Sequence, residues 1–142
     1  MLIREAVADD LRCIAILFAQ LGYPTTPQRL AARLAAAQAG ENVHVLVAPD
    51  GAVLAGVAVL HVMTALHLPA PSARLSALVV DQGRRSGGVG AALLQAAEAW
   101  ALAAGCTQLE LTSNEARTRA HQFYERHGYR EKRVRFVKAL GP

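Results

Sequence analysis

The chain has 142 residues, 53% hydrophobic and 18% charged, with two cysteines and a formal net charge of +4. That length fits one domain of roughly 100–200 residues, and the composition can fill a core, which excludes a disordered segment and a multidomain machine. Two cysteines are too few for a disulfide-stapled secreted scaffold, no apolar run approaches the ~20 residues of a membrane helix, and Met1-Leu2-Ile3-Arg4-Glu5 turns charged too soon for a leader. A single cytoplasmic domain over residues 1–142, without a membrane partner, is expected.

In chain order, Leu2–Ala6 predicts a first strand. Asp9-Asp10 then caps a helix whose apolar residues Leu11, Ile14, Leu17, Phe18 and Leu21 recur at helical spacing. Gly22-Tyr23-Pro24 ends it, and Thr26-Pro27 starts a second helix with proline in its first turn, buried along Leu30, Leu34 and Ala37 as far as Gly40. The period then shortens to two. Val43, Val45 and Val47 alternate, Pro49-Asp50-Gly51 signals a turn, and Val53–Met63 is the returning arm of a hairpin.

His67–Ser72 holds two prolines and reads as a loop. Ala73–Asp81 predicts a strand with Leu75, Ala77 and Val79 on one face and Ser76, Leu78 and Val80 on the other. Both faces are largely apolar, so the strand belongs in the middle of the sheet. Val89, Leu93, Ala96, Trp100 and Ala104 mark a long helix ending at Gly105. Thr107–Ser113 predicts a strand, Ala116–His127 a helix closed by Gly128, and Tyr129–Leu140 a long last strand. This order predicts an α+β fold, a mixed sheet flanked by helices. Cys13 and Cys106 sit in apolar stretches and read as buried thiols of a reducing compartment.

The informative segment is Val79–Leu94. A strand runs through Arg84 and Arg85 into Ser86-Gly87-Gly88-Val89-Gly90 and then directly into a helix. Glycines let a ligand approach the backbone closely. The first N–H groups of the helix have no partner inside it, and its dipole adds positive charge there. The junction therefore suits a phosphate or pyrophosphate, with Arg84 and Arg85 reinforcing it. No Gly-Lys-Ser/Thr follows, which disfavours a Walker-type nucleotide triphosphatase. Leu93 stands where a dinucleotide fingerprint needs its third Gly or Ala.

Arg85-x-x-Gly88-x-Gly90, preceded by Leu78-Val79-Val80 and followed by Ala91-Ala92-Leu93-Leu94, closely resembles the acyl-CoA-binding motif of the GNAT N-acetyltransferase superfamily. The stretch Ala120–Tyr129 resembles the family's later signature, a helix carrying a tyrosine (here Tyr124) and ending in Gly-aromatic. The resemblance covers the whole chain in element order. It implies a mostly antiparallel sheet, splayed between its central strands and flanked by helices. It also implies transfer of an acetyl group from acetyl-CoA to a primary amine of a small molecule or peptide, through a tetrahedral intermediate.

Residue by residue, the resemblance implies that the backbone of Leu78, Val79 and Val80 pairs with the pantetheine arm. Arg85, Ser86, Gly87, Gly88, Val89, Gly90 and Ala91 would hold the pyrophosphate, Tyr124 would act as general acid at the departing sulfur, and Asn114 would reach CoA or an ordered water. Simple chemistry supports such roles. A fixed N–H near Val79 or Val80 can stabilise an oxyanion. The leaving thiol has a pKa of about 8.5, and a tyrosine hydroxyl stays protonated near neutral pH.

Two departures from the family pattern stand out. The family's strand glutamate, a base acting through water, has no counterpart in Leu75-Ser76-Ala77, which leaves His61, His67, Glu110 or solvent as base. The family's Asn, seven residues before the tyrosine, is Arg117 here. A non-catalytic CoA-binding regulatory domain of the same fold is the alternative that the missing carboxylate supports. A nucleic-acid module built on the C-terminal arginines ranks last, since no recognition helix with interleaved aromatics is present. His121 and His127 are six residues apart, on different helix faces, and no Cys-x-x-Cys occurs, so no metal site is expected. The segments expected to wall the acceptor site lack an acidic cluster, which points to a less charged amine, an amino-acid-like molecule or a peptide N-terminus. The alternating last strand offers a contact for a homodimer.

Overall fold

The computed structural model describes residues 1–40, 42–85, 87–112, 118–132 and 135–141. They form two compact units, Met1–Leu111 and Thr112–Pro142. The first unit carries a five-stranded sheet in the order β1-β2-β3-β4-β5, made of β1 (Arg4–Glu5), β2 (Val43–Asp50), β3 (Val53–Met63), β4 (Ser72–Val80) and β5 (Leu109–Leu111). Successive strands are antiparallel through β4. The last pair, β4 and β5, is parallel, as expected when a helix connects two strands. That helix is α3 (Val89–Ala103), while α1 (Leu11–Leu21) and α2 (Pro27–Ala39) connect β1 to β2.

Local signals explain most boundaries. The Asp10 carboxylate accepts the Val7 N–H at 2.8 Å and a forked pair from Arg4 at 2.7 and 3.0 Å, tying β1 to the start of α1. Thr26 Oγ1 accepts the Arg29 N–H at 3.2 Å, capping α2 just ahead of Pro27. The hairpin reverses at Gly51-Ala52, so Pro49 and Asp50 belong to β2 instead of the predicted turn. Pro49 has no N–H to give a ladder and sits where the register shifts.

Two apolar layers sandwich the sheet. On one face Val47, Val57 and Val79 pack with Ile14, Ala15, Leu17, Leu30 and Leu34 of α1 and α2. The opposite face carries Leu46, Ala58 and Leu60, fully buried, on the side where Gly56 meets Val89 and Leu93 of α3. The buried stripe of α3 runs Val89, Leu93, Ala97, Ala101, not through the predicted Ala96, Trp100 and Ala104. Alanine occurs on both flanks of that stripe, so periodicity alone does not resolve it. Trp100 lies at its margin, 39% exposed, its ring stacked on His44 at 4.2 Å. Cys106 is buried as expected, but Cys13 is only half-buried, on the flank of α1.

The second unit contains α4 (Thr118–Arg126). Phe123 packs edge-on to Tyr124 at 5.3 Å and against His127 at 4.5 Å. The helix closes at Gly128 as predicted, with the Tyr129 N–H returning to the Tyr124 carbonyl at 3.0 Å. Part of the predicted last strand, residues 133 and 134, lies outside the described residues; among the described ones, 130–132 and 135–140 are not assigned to a strand, and Phe136, Val137 and Leu140 are exposed. An alternating pattern becomes a strand only where a neighbouring ladder receives its N–H and C=O groups.

Candidate functional site

The junction between β4 and α3 is a tightly held turn. The Asp81 N–H returns to the Ala55 carbonyl at 2.8 Å. Its carboxylate accepts Gln20 Nε2 at 2.9 Å, the Gly83 N–H at 3.2 Å and Arg84 Nη1 at 2.9 Å. Gln20 closes the clamp by accepting the Gln82 N–H at 3.1 Å. These donors, Gln20 foremost, hold the Asp81 carboxyl below its ordinary range. Arg84 also donates to Asp50 at 2.6 Å; Asp50 and then Asp81 raise its pKa further. With two carboxylates on it, Arg84 braces the turn and does not reinforce an anion site as its sequence position suggested. Arg85 is the exposed cation, its Nε 3.4 Å from the Val80 carbonyl.

Gly88 begins α3 with φ +79°, and among the described residues no side chain caps that end. The first intrahelical bond is Ala92 N–H to the Gly88 carbonyl at 3.1 Å. The amides of Gly88, Val89, Gly90 and Ala91 therefore have no acceptor within the helix. Val89 is buried as an anchor of the helix, while Gly87 and Gly88 are exposed. A cleft of about 370 Å³ opens here, lined by Asp50, Ala55, Gly83, Arg84, Gly87 and Val89 among others. Backbone donors on a helix dipole beside Arg85, which has no carboxylate partner among the described residues, form an environment for a diphosphate. Ser86 lies outside the described residues, as do Asn114, Ser113 and Arg117.

Among the described residues, the strand leading into this junction has no partner on one edge past Leu75. β4 pairs with β5 only over Ala73–Leu75 against Leu109–Leu111, yet it continues to Val80. On its other side β4 stays paired with β3, Val80 opposite Gly56 and Val79 opposite Val57. The bond from Asp81 to Ala55 fixes the alternation. Val79 turns its N–H and C=O toward β3, whereas Leu78 and Val80 turn theirs toward the opposite edge, which has no partner strand among the described residues. Of the three residues predicted to line the arm, Leu78 and Val80 thus turn their backbone groups away from β3, and Val79 is a buried sheet residue.

Where its ladder with β5 ends, β4 is bulged. Leu60 pairs with Leu75 and Val59 with Ala77, which leaves Ser76 unpaired between them. Ser76 Oγ lies 2.7 Å from His61 Nε2. Arg74, across from His61 in the ladder, makes an ion pair with Glu110 at 3.7 Å. Burial lowers the His61 pKa from its ordinary 6.5, and the Arg74 charge lowers it further. Of the three side chains considered as base, Glu110 is engaged by Arg74, His67 is exposed on the loop after β3, and His61 stands at the bulge.

Tyr124 belongs to α4, in the second unit. Burial pushes the Cys106 thiol up, opposite to what a thiolate nucleophile needs. Among the described residues no group of three or more His, Cys, Asp or Glu side chains could hold a metal ion, and no helix is long and apolar enough to cross a membrane.

Sequence reasoning missed three participants. Ser76 showed only as a polar interruption in an apolar strand. Gln20 gave no signal, since it meets Asp81 across 61 residues of chain. Gly56 appeared as a mere break in an apolar run, yet a Cβ there would lie 2.8 Å from the Val79 carbonyl oxygen and 2.8 Å from Leu93 Cδ1. That contact seats the start of α3 on the sheet.

Residues 8–129 match the acetyltransferase (GNAT) family. The chain is 32% identical to an aminoalkylphosphonate N-acetyltransferase of Salmonella typhimurium, over 97% of this chain and 90% of that enzyme. Among solved structures, a transcriptional regulator from Bacillus halodurans superposes with a TM-score of 0.90 at 21% identity, covering 98% of this chain and 99% of that one. A GNAT family acetyltransferase from Staphylococcus aureus does so with a TM-score of 0.82 at 23% identity, covering 98% of each chain.

Proposed function

Because the chain belongs to the GNAT acetyltransferase family, we propose that residues 1–142 form one acetyl-CoA-dependent N-acetyltransferase domain. In this reading a primary amine of a small molecule or peptide attacks the thioester directly and passes through a tetrahedral intermediate. The observation that carries the reading is the continuity of two features. The amides at the start of α3, which have no acceptor within the helix, follow directly on the stretch of β4 that lies past its ladder with β5 among the described residues.

The amides of Gly88, Val89, Gly90 and Ala91, with Gly87, Ser86 and Arg85, hold the pyrophosphate. The outward backbone groups of Leu78 and Val80 take the pantetheine arm. One of their N–H groups also serves the oxyanion that forms on attack, and does so better than Val79, whose N–H is engaged by β3. Asn114 contributes to the same ligand. Tyr124 donates its phenolic proton to the departing thiolate.

The amine acceptor carries an anionic end in this reading. The Salmonella relative is named for aminoalkylphosphonates, and Arg74, with its side chain 34% exposed, lies two residues before the bulge. Aminoalkylphosphonates, amino acids and peptide N-termini therefore head the acceptor panel.

Thermal shift comes first: acetyl-CoA should raise the melting temperature, and ATP and NAD should not. Thiol release is then measured across the amine panel. Tyr124→Phe should lower kcat roughly 10²-fold, the size of a general-acid contribution, with acetyl-CoA affinity unchanged. Absence of binding to any coenzyme A derivative would refute the reading.

A further inference from the structure

We propose that Ser76 and His61 form the proton relay that relieves the acceptor amine of its proton, an inference that rests on the acetyl-transfer reading above. The chain has no carboxylate at Leu75-Ser76-Ala77, so the proton needs another destination, and the fold supplies one at that place. The β4–β5 ladder ends at Leu75, and Ser76 is the extra residue of the bulge that follows. It is the first position of β4 past the β4–β5 ladder of the described residues. It lies four residues before Val80, about 13 Å of strand from the α3 junction. A bulge re-aims a side chain out of the regular alternation, and this one turns the Ser76 hydroxyl onto His61.

At 2.7 Å, Ser76 Oγ and His61 Nε2 are at strong hydrogen-bond distance. With the imidazole proton on Nδ1, Nε2 accepts the Ser76 hydroxyl and leaves a serine lone pair for the incoming N–H.

The surroundings suit a neutral imidazole. Across the ladders, His61 faces Val43 on β2 and Arg74 on β4. Glu110 on β5 meets Arg74, at 3.7 Å. The helices that also meet β3 turn apolar residues inward, Ile14, Ala15 and Leu17 on α1 and Leu93, Leu94 and Ala97 on α3. His61 is therefore partly desolvated beside one cation, which keeps its imidazole neutral and able to accept at neutral pH.

In the reaction, the amine nitrogen bonds to the acyl carbon, and its surplus N–H proton passes to Ser76 Oγ. The original hydroxyl proton of Ser76 passes at the same time to His61 Nε2. The oxyanion then collapses, the carbon–sulfur bond breaks, and the thiolate takes its proton from Tyr124. His61 returns its proton to solvent, and Tyr124 regains one from it. Ser76 touches the reacting nitrogen, and His61 acts through it.

The test is the pH dependence of kcat between about pH 5 and 9, a range that spans histidine titration. It compares the full chain with Ser76→Ala, Ser76→Thr, His61→Gln and the Ser76→Ala/His61→Gln double variant, with melting temperature and acetyl-CoA affinity measured on each. The wild type should lose activity on the acid side with a midpoint below 6.5. Ser76→Ala and His61→Gln should each lower kcat roughly 10²-fold and abolish that acid limb, with acetyl-CoA affinity unchanged. The double variant should be no slower than either single one, since the two residues act as a unit. Ser76→Thr should keep the limb and most of the rate. If His61→Gln does not fold, Ser76→Ala decides between the outcomes, since Ser76 is exposed. Wild-type kcat or an intact acid limb in Ser76→Ala would overturn the relay while leaving acetyl transfer standing. A wild-type chain that acetylates no amine would overturn both.

Discussion

The seating of α3 on the sheet turns on a missing methyl group, and Gly56→Ala puts it there. The new Cβ would meet the Val79 carbonyl oxygen and Leu93 Cδ1 at 2.8 Å each, and Val89 Cγ1 at 3.1 Å. None of these neighbours can yield easily: the carbonyl belongs to a central strand, Leu93 is 0% exposed and Val89 3%. The helix has to lift or the strand has to bend. Overpacking of this kind costs about 1–3 kcal/mol, and alanine's stiffer unfolded chain offsets about 0.4–1 kcal/mol of it, leaving a net of roughly 1.5 kcal/mol. With an unfolding entropy of about 2.1 cal/mol/K per residue, a chain of 142 residues should melt roughly 5 °C lower. Val89 and Leu93 form the first turns of α3, so the same displacement moves the amides of Gly88–Ala91, and acetyl-CoA affinity should fall with stability. Differential scanning fluorimetry and titration calorimetry measure the two effects. A melting temperature within about 1 °C of wild type, well inside the expected shift, together with unchanged affinity would refute this account of how the helix is seated.

Gly88→Ala forces an alanine into the left-handed region at φ +79°, at a cost of roughly 1–2 kcal/mol; melting should drop by a few degrees and calorimetry should show weaker acetyl-CoA binding. Arg85→Gln should weaken that binding and flatten its dependence on salt. Arg84→Gln should leave the salt dependence near wild type, because Asp50 and Asp81 already neutralise Arg84, and should instead lower the melting temperature. Arg4 and the Val7 N–H hold the Asp10 pKa below its ordinary 3.8. Their stabilisation is complete above that value and is lost as pH falls through the lower, folded-state pKa. Acid titration of wild type and Asp10→Asn, followed by circular dichroism, should therefore show the two stabilities converging below pH 3.8, and a difference that persists undiminished there would refute the assignment.

Strand β4 shows where local pattern stops being informative. Strict alternation puts Leu75 on the face of Ala77 and Val79. In the fold, Leu75 opposes Leu60 and Leu78 opposes Ala58, so Leu75 shares its face with Leu78. The extra residue Ser76 reverses the alternation, and nothing in the residues from 72 to 80 announces it. A bulge arises from how two strands meet, not from the propensity of one. The hairpin shows a milder case, where Pro49 reads as part of the turn but sits in a strand, at a shift of register.

What the chain order alone determined was local. Helix caps at Thr26 and Gly128, the span Val53–Met63, the glycine-rich junction before α3 and the family resemblance all rest on residues close together in sequence, where backbone sterics and short-range hydrogen bonds act. What tertiary structure decided was pairing across distance. It turned Arg84 inward onto Asp50, recruited Gln20 to Asp81, bulged β4 at Ser76 and set His61 against it. Each joins groups whose meeting depends on sheet register and helix seating, and those are properties of the packed whole, settled only when the core closes.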